Sequence, residues 1–296
     1  MSEAAVVRQP ELRVASAAWL VACAGFALAY APVYWSAAHG VWQTDENGHG
    51  PLILAVVAWL FWSLREPIAQ ATWKPAPVTG WLVFAIGLLV YIVGRAFDIS
   101  SLEFGSQIFV VAGGLLLLRG ASALRVAWFA VAYLIFLVPL PATLIDAVTG
   151  PLKQWISSIV QSMLFAVGYP ISNSGVILTI GQFQLMVADA CSGLNSMFSL
   201  SALGTLFMYV MKRKSVLHNA IMLASILPIA FAANIVRVTL LVLLTYHFGD
   251  EAGQGFLHGA AGMALMLVAL LIFFVLDAVI ASAMRWRASA VAQSAR

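Results

Sequence analysis

Three residues that could carry out covalent chemistry together occur in the last third of the chain. Cys191 precedes a strongly apolar run, Arg237 lies inside a later apolar run, and His258 stands at the head of the last one. A thiolate can attack a carbonyl carbon, an arginine can stabilise the oxyanion that forms, and a histidine can protonate the leaving group. The three residues therefore indicate acyl transfer through a thioester.

Cys191 lies near the predicted N-terminus of a helix, in a polar setting. Free N–H groups and the helix dipole at such a position favour the thiolate over the neutral thiol. In the centre of an apolar helix a cysteine is more often a small packing residue, and we interpret Cys23 in that way. The neighbours Asp189 and Ser192 favour a reactive nucleophile at Cys191, with both neighbours in supporting roles.

Arg237 is the strongest single signal in the sequence. A guanidinium inside an apolar span costs roughly 2.5–3.5 kcal/mol on the insertion scale, and no acidic residue is adjacent in the sequence. Asn234 is three residues earlier, on the same face of a helix, and is a candidate to hold the guanidinium. The alternative is an ion pair, for example with Asp189, that only ties helices together.

Histidine is the side chain best suited to take and return a proton near neutral pH. His258 is the preferred candidate because it accompanies an external cysteine and an intramembrane arginine. His49, in a turn after the first apolar run, is a second candidate. We interpret His218 and His247 as ordinary interface residues.

The composition restricts the fold class. The 296 residues are 62% hydrophobic and 9% charged, whereas a soluble domain carries about a quarter of its residues as charged side chains. We predict an all-α polytopic membrane protein of about eight transmembrane helices, forming one integral membrane domain over residues 1–296. The predicted spans are 15–36, 51–64, 80–94, 104–118, 124–140, 194–211, 216–246 and 257–281.

The segment 142–190 differs from the spans because polar residues interrupt it. Apolar positions at helical spacing over 152–167 predict an amphipathic helix at the membrane surface or at the mouth of the bundle. Residues 176–187 read as a small β-hairpin with Gly181-Gln182 at its turn. The hairpin leads directly to Cys191.

The basic residues indicate the orientation in the membrane. Twelve of the 15 fall on the side of the N-terminus, so the positive-inside rule predicts that both termini are cytoplasmic. The external segment, Cys191 and His258 then lie on the opposite face. The twelve are Arg8, Arg13, Arg65, Lys74, Arg119, Arg125, Lys212, Arg213, Lys214, Arg285, Arg287 and Arg296.

Other classes of function fit the sequence less well. It contains no serine-hydrolase elbow, phosphate-binding loop or dinucleotide fingerprint, and we predict no cofactor and no metal site. No basic block indicates a nucleic-acid partner, so the lipid bilayer is the expected surrounding. The alternative is a polytopic transporter, or a membrane component of exopolysaccharide export, with a structural intramembrane arginine. The oligomeric state stays open.

The motifs resemble those of the exosortase/archaeosortase family. The resemblance is carried by the tetrapeptide ACSG at 190–193, by Asn234-x-x-Arg237, and by His258 opening the final helix. The turn at 49–51 and the Pro-Leu-Pro stretch at 139–141 extend the resemblance over most of the chain.

The resemblance implies a membrane cysteine protease or transpeptidase. Cys191 would be the nucleophile, Arg237 would stabilise the oxyanion or orient the substrate, and His258 would be the general acid and base. The implied partners are exported proteins with a C-terminal sorting signal: a Pro-Glu-Pro motif, a transmembrane helix and a basic cluster. Cleavage would occur at the periplasmic face of the bacterial inner membrane. Genes of this family often accompany exopolysaccharide production.

Overall fold

The computed structural model describes residues 8–44, 47–186, 193–213, 215–249 and 256–294. The chain divides into two compact units, Met1–Pro141 and Ala142–Arg296, which are described separately. The assignment of one membrane domain to the whole chain stays a prediction.

In the described part of the first unit the regular elements are helices, and one isolated β-bridge pairs Lys74 with Gly120. Pro51 and Pro77 lie in the first turns of two of its helices, where a missing N–H costs nothing and the fixed φ angle suits the helix. The helices are α1 (Arg8–Ala38), α2 (Gly50–Ser63), α3 (Arg65–Gln70), α4 (Pro77–Ala96), α5 (Ser100–Leu118) and α6 (Ala121–Tyr133), with 3₁₀ turns at Val41–Gln43 and Leu134–Leu137.

Helices α4 and α5 form a tight antiparallel hairpin. Gly80, Gly87 and Gly94 are buried along one face of α4. A Cβ at Gly87 would lie 2.8 Å from the backbone nitrogen of Val110 on α5, closer than real Cβ atoms come. The absence of side chains on this face therefore lets the two backbones approach, as small residues do at helix contacts in membranes.

In its described residues, the second unit combines four helices with a small sheet. The strands follow α7, and the last three helices complete the unit. Its elements are α7 (Ala142–Ala166), β1 (Ile171–Ser174), β2 (Ile177–Ile180), β3 (Phe183–Met186), α8 (Gly193–Met211), α9 (Val216–Phe248) and α10 (Phe256–Ser294).

The predicted hairpin is confirmed as β2 and β3, which are antiparallel with Ile180 opposite Phe183. Gly181 has φ +56° at the first central position of the turn, a conformation that favours glycine. The structure adds β1, antiparallel to β2, giving the order β1-β2-β3. The sequence of β1, Ile-Ser-Asn-Ser, lacks the alternation that would have predicted a strand.

The amphipathic helix predicted over 152–167 is confirmed as the second half of a longer helix. Helix α7 starts ten residues earlier, at Ala142, and contains Pro151. Ile156, Val160 and Leu164 are buried at helical spacing and pack with the sheet and with α9. The helix is thus held against the unit by one apolar face.

Helices α8, α9 and α10 pack together around a shared core. The core joins buried residues of all three helices in one cluster. His218 near the start of α9 contacts Asp277 of α10, and Ile226 and Phe273 both lie near Gly204, so α9 runs opposite to α10. Helix α9 also runs opposite to α8, to which a short connection joins it. The buried residues are Leu200, Phe207, Met222, Ile226, Ala230, Ala269 and Phe273.

Among the described residues, five helices are long and apolar enough to cross a membrane: Ala17–Gln43, Pro77–Ala96, Ser100–Leu118, Val216–Phe248 and Leu267–Trp286. The other three predicted spans coincide with shorter apolar helices, Gly50–Ser63, Ala121–Leu137 and Phe198–Met211. A 14-residue helix is only about 21 Å long, less than a hydrocarbon core of about 30 Å. A polytopic helical membrane protein is therefore shown, and the number eight stays a prediction.

Candidate active site

Three of the predicted site residues, Asp189, Cys191 and Ser192, lie outside the described residues. Their flanking elements are described: β3 ends at Met186 and α8 begins at Gly193. Cys191 therefore precedes the first residue of α8 by two positions in the chain. The predicted relation between the cysteine and a helix N-terminus agrees with this boundary, while the geometry of the thiol is not part of the described structure.

Arg237 lies in the middle of α9 and is 6% exposed. Asn234, one turn earlier, is 4% exposed. Both lie in a helix whose mean hydropathy qualifies it as a membrane span. A buried guanidinium in such a helix is costly and in membrane proteins marks a functional site by default.

Gly204 of α8 lies against side chains of both α9 and α10. A Cβ on Gly204 of α8 would lie 3.1 Å from Cγ1 of Ile226 on α9 and 3.3 Å from Cζ of Phe273 on α10. Gly204, Ile226 and Phe273 therefore lie at one level of the bundle. This level fixes the register of the three helices relative to one another.

From this level Arg237 can be placed relative to the starts of α8 and α10. Eleven residues separate Ile226 from Arg237, and eleven separate Gly204 from Gly193, so both lie about 16 Å from the common level. Because α8 and α9 run in opposite directions, the two displacements point the same way. His258 is 15 residues before Phe273, about 22 Å away in that direction. Measured along the helices from the level of Gly204, the positions differ by about one helical turn at most among Arg237, Gly193 and the backbone of His258.

The number of residues between Ile226 and Arg237 also gives the face of α9 on which Arg237 lies. Eleven residues at about 100° each complete three turns with about 20° left over. Arg237 consequently lies on the face of α9 that carries Ile226, the face that contacts α8 and α10. Because His258 is in the first turn of α10, which begins at Phe256, its position at the head of the last helix is confirmed.

A different face of α9 packs against the sheet. Val238 and Val242 are both fully buried and belong to one cluster with Leu178, Ile180 and Leu185 of the sheet. The face of α9 that packs on this cluster therefore includes Val238, the residue that follows Arg237. Helix α9 therefore joins the helical core to the cluster that contains the sheet.

His49 belongs to the first unit, so the structure does not relate it to the residues of the second. It precedes α2 and is half-buried. Burial lowers the pKa of its imidazole below the ordinary value, and a hydrogen bond to the backbone of Phe136 acts in the opposite direction. A lowered pKa keeps the imidazole neutral at physiological pH, as a general base requires.

His218 is not an ordinary interface residue, and that interpretation is wrong. It is 2% exposed, and its Nε2 lies 2.7 Å from Oδ1 of Asp277, which is 3% exposed on α10. The guanidinium of Arg213 also binds the Asp277 carboxylate. The sequence separation of 59 residues explains why no local pattern showed this pairing. His218 is 19 residues from Arg237, about 28 Å along α9, so this cluster lies apart from the candidate site.

No group of three or more His, Cys, Asp or Glu side chains that could hold a metal ion is found within the part of the chain that the structure describes. The described residues of the candidate site, Asn234 and Arg237, offer an amide and a guanidinium. A guanidinium has five N–H donors and no acceptor, so it suits a carboxylate, a carbonyl or an oxyanion.

The fold and this site define a class: a polytopic helical membrane protein with a buried arginine level with the heads of two neighbouring helices. Comparison with known families gives a match to the transmembrane exosortases over residues 41–275. The chain belongs to the transmembrane exosortase family. No curated protein and no solved structure gives a significant match.

Proposed function

We propose that this exosortase-family protein is a cysteine peptidase or transpeptidase that cleaves C-terminal Pro-Glu-Pro-type sorting signals of exported proteins. The observation that carries the proposal is the position of Arg237. It is buried in an apolar helix, on the face toward α8 and α10, at the height where α8 begins. Cys191 is two residues before that helix, and His258 is in the first turn of α10.

In the proposed first step, His258 takes the proton of the Cys191 thiol, and the thiolate attacks the scissile peptide carbonyl. The carbonyl oxygen becomes an oxyanion, which the Arg237 guanidinium stabilises by charge and by N–H donation. Asn234 supports Arg237 from one turn away. The C–N bond then breaks, and the proton held by His258 passes to the leaving amine. The products are a thioester on Cys191 and a free amino terminus on the signal fragment.

In the second step, an acceptor nucleophile releases the acyl group. Water, an amine or a hydroxyl group gives its proton to His258 and attacks the thioester carbonyl, and the thiolate of Cys191 leaves. Water yields hydrolysis, whereas an amine or hydroxyl carrier yields transpeptidation or transesterification. Asp189, Ser192 and His49 are proposed as supporting residues, the first two because they flank Cys191 in the sequence.

A buried site in a membrane bundle suits a substrate whose signal contains a transmembrane helix. Both partners then diffuse in one plane, and the segment next to the substrate helix arrives at the membrane interface. We place the site at the periplasmic face of the bacterial inner membrane, with both termini cytoplasmic, because most basic residues lie on the side of the N-terminus.

The test is co-expression of the protein with a tagged substrate that bears a Pro-Glu-Pro C-terminal signal. Wild type, Cys191→Ala and Cys23→Ala are compared by the mass of the tagged product. Cys23 is a matched control, because it is the other cysteine of the sequence and is exposed on the surface of the first unit. We expect processing by wild type and Cys23→Ala and none by Cys191→Ala.

A covalent intermediate gives a second readout. Hydroxylamine cleaves thioesters, so it should release a substrate hydroxamate from wild type and not from Cys191→Ala. Processing that persists in Cys191→Ala would remove the cysteine as nucleophile and would favour the transporter or export-component reading, in which Arg237 is structural.

A further inference from the structure

The outer edge of β3 is open in the described structure. The two-residue turn makes Ile180 and Phe183 a hydrogen-bonded pair, and in an antiparallel ladder such pairs alternate. Phe183 and Leu185 therefore bond to β2, and the backbone N–H and C=O groups of Gln184 and Met186 point to the other side. Among the described residues, no further backbone hydrogen bond reaches these four groups.

The opposite edge of the sheet is different. On β1, Ile171 donates its N–H to the carbonyl of Tyr169. Asn173 donates from its side chain to the hydroxyls of Ser157 and Ser158 on α7, at 3.4 and 3.3 Å. Helix α7 thus lies along β1. On β3, by contrast, Gln184 and Met186 are exposed, and the exposed fraction of Met186 is 46%. Of the two edges, β3 is the one that can accept another strand.

The location of β3 connects this edge to the candidate site. β3 ends at Met186, five residues before Cys191 in the chain. Leu185 is packed in one cluster with Val238 and Val242, the first of which follows Arg237 directly. The open edge therefore lies next to the part of α9 that carries Arg237 and leads along the chain to the cysteine.

We infer that the extended segment of the substrate, next to its scissile bond, binds as a fourth strand along β3. Edge strands recognise extended peptides through main-chain hydrogen bonds, with side-chain contacts at alternate positions. A scissile peptide must be extended to expose its carbonyl, and Gln184 and Met186 supply two donors and two acceptors for such a backbone. This inference rests on the proposed function, since it names how the substrate of that site is held.

Disulfide cross-linking tests the pairing without requiring turnover. The full-length enzyme carries Cys23→Ser and Cys191→Ala, together with Gln184→Cys or Met186→Cys. Single cysteines are placed one at a time along the ten residues that precede the transmembrane helix of the tagged Pro-Glu-Pro substrate. We expect cross-links at every second substrate position. Ser172→Cys, exposed on β1, is the matched control and should give none.

Proline substitution tests the contribution of the edge to processing. Met186→Pro removes an outward N–H and leaves the β2–β3 ladder intact, because proline cannot donate. One lost backbone hydrogen bond should reduce the processing rate about fivefold to tenfold. Asn173→Pro removes the corresponding outward N–H of β1 and also two side-chain hydrogen bonds, yet it should process at the wild-type rate.

The outcomes separate this inference from the proposed function. Cross-links that show no alternation, or that join Gln184→Cys residues of two enzyme copies, would overturn strand addition by substrate. Equal processing by Met186→Pro and wild type would overturn it as well. Processing independent of Cys191 would instead refute the proposed chemistry, whatever the cross-linking pattern shows.

Discussion

Replacement of Arg237 by leucine should separate a functional arginine from a structural one. Arg237 is 6% exposed in an apolar helix, and at the centre of a span arginine is about 3 kcal/mol less favourable than leucine. Leucine removes this cost, but it also removes the interaction that Arg237 makes in the folded protein, and a buried partner that is left unpaired is destabilising. The two effects on stability have opposite signs, so we expect Arg237→Leu to fold with a melting temperature close to that of the wild type.

The expected effect on activity is much larger. Loss of a donor to a developing oxyanion costs about 100- to 1,000-fold in rate. Arg237→Leu should therefore retain the fold and lose at least that factor in processing of the tagged substrate. Arg237→Lys keeps the charge without the planar fork of donors, so an intermediate rate is expected.

The control is a core residue on the same face of α9. Ile226 is 3% exposed and packs against Gly204 of α8. Ile226→Ala should therefore lose about 2–5 kcal/mol of stability. Its processing rate per folded molecule should stay at the wild-type level. The measurements are melting temperature in detergent and processing rate in reconstituted vesicles. If Arg237→Leu is the destabilised variant and its folded fraction still processes substrate, the arginine is a structural ion-pairing residue.

Three further predictions concern stability. Gly87→Ala should lose about 1–3 kcal/mol, because its Cβ would meet α5 at 2.8 Å. Gly105→Ala, with open space around the new Cβ, should be neutral or gain up to about 1 kcal/mol; equal melting temperatures would contradict this contrast. Burial lowers the pKa of His49, so its contribution to stability is complete above a pH of about 6.5 and is lost as the pH falls through the lowered pKa. His49→Gln should therefore flatten the acid side of a melting-temperature profile, and an unchanged profile would refute this. Asp277→Asn should destabilise the protein by about 1–3 kcal/mol through the loss of its charged hydrogen bonds, including that to His218, and should leave the processing rate per folded molecule unchanged; a slowed rate would couple this cluster to the site.

The sequence by itself determined the class of protein and much of its helical layout. Hydropathy and composition are properties of contiguous residues, so the apolar helices could be predicted from them. The turn of the hairpin could be predicted because Gly181 suits a positive φ angle. Arg237 stood out because a charge inside an apolar run is costly wherever the rest of the chain lies.

Only the tertiary structure decided which distant residues meet. β1 is a strand because β2 pairs with it, although its own sequence carries no alternation. His218 is buried because a carboxylate 59 residues away, on another helix, binds it. The common height of Arg237 and the start of α8 follows from the close approach at Gly204, where Ile226 and Phe273 fill the space that a side chain would need. Local sequence sets the conformation of each segment, but such contacts depend on how separate segments pack, which no local pattern encodes.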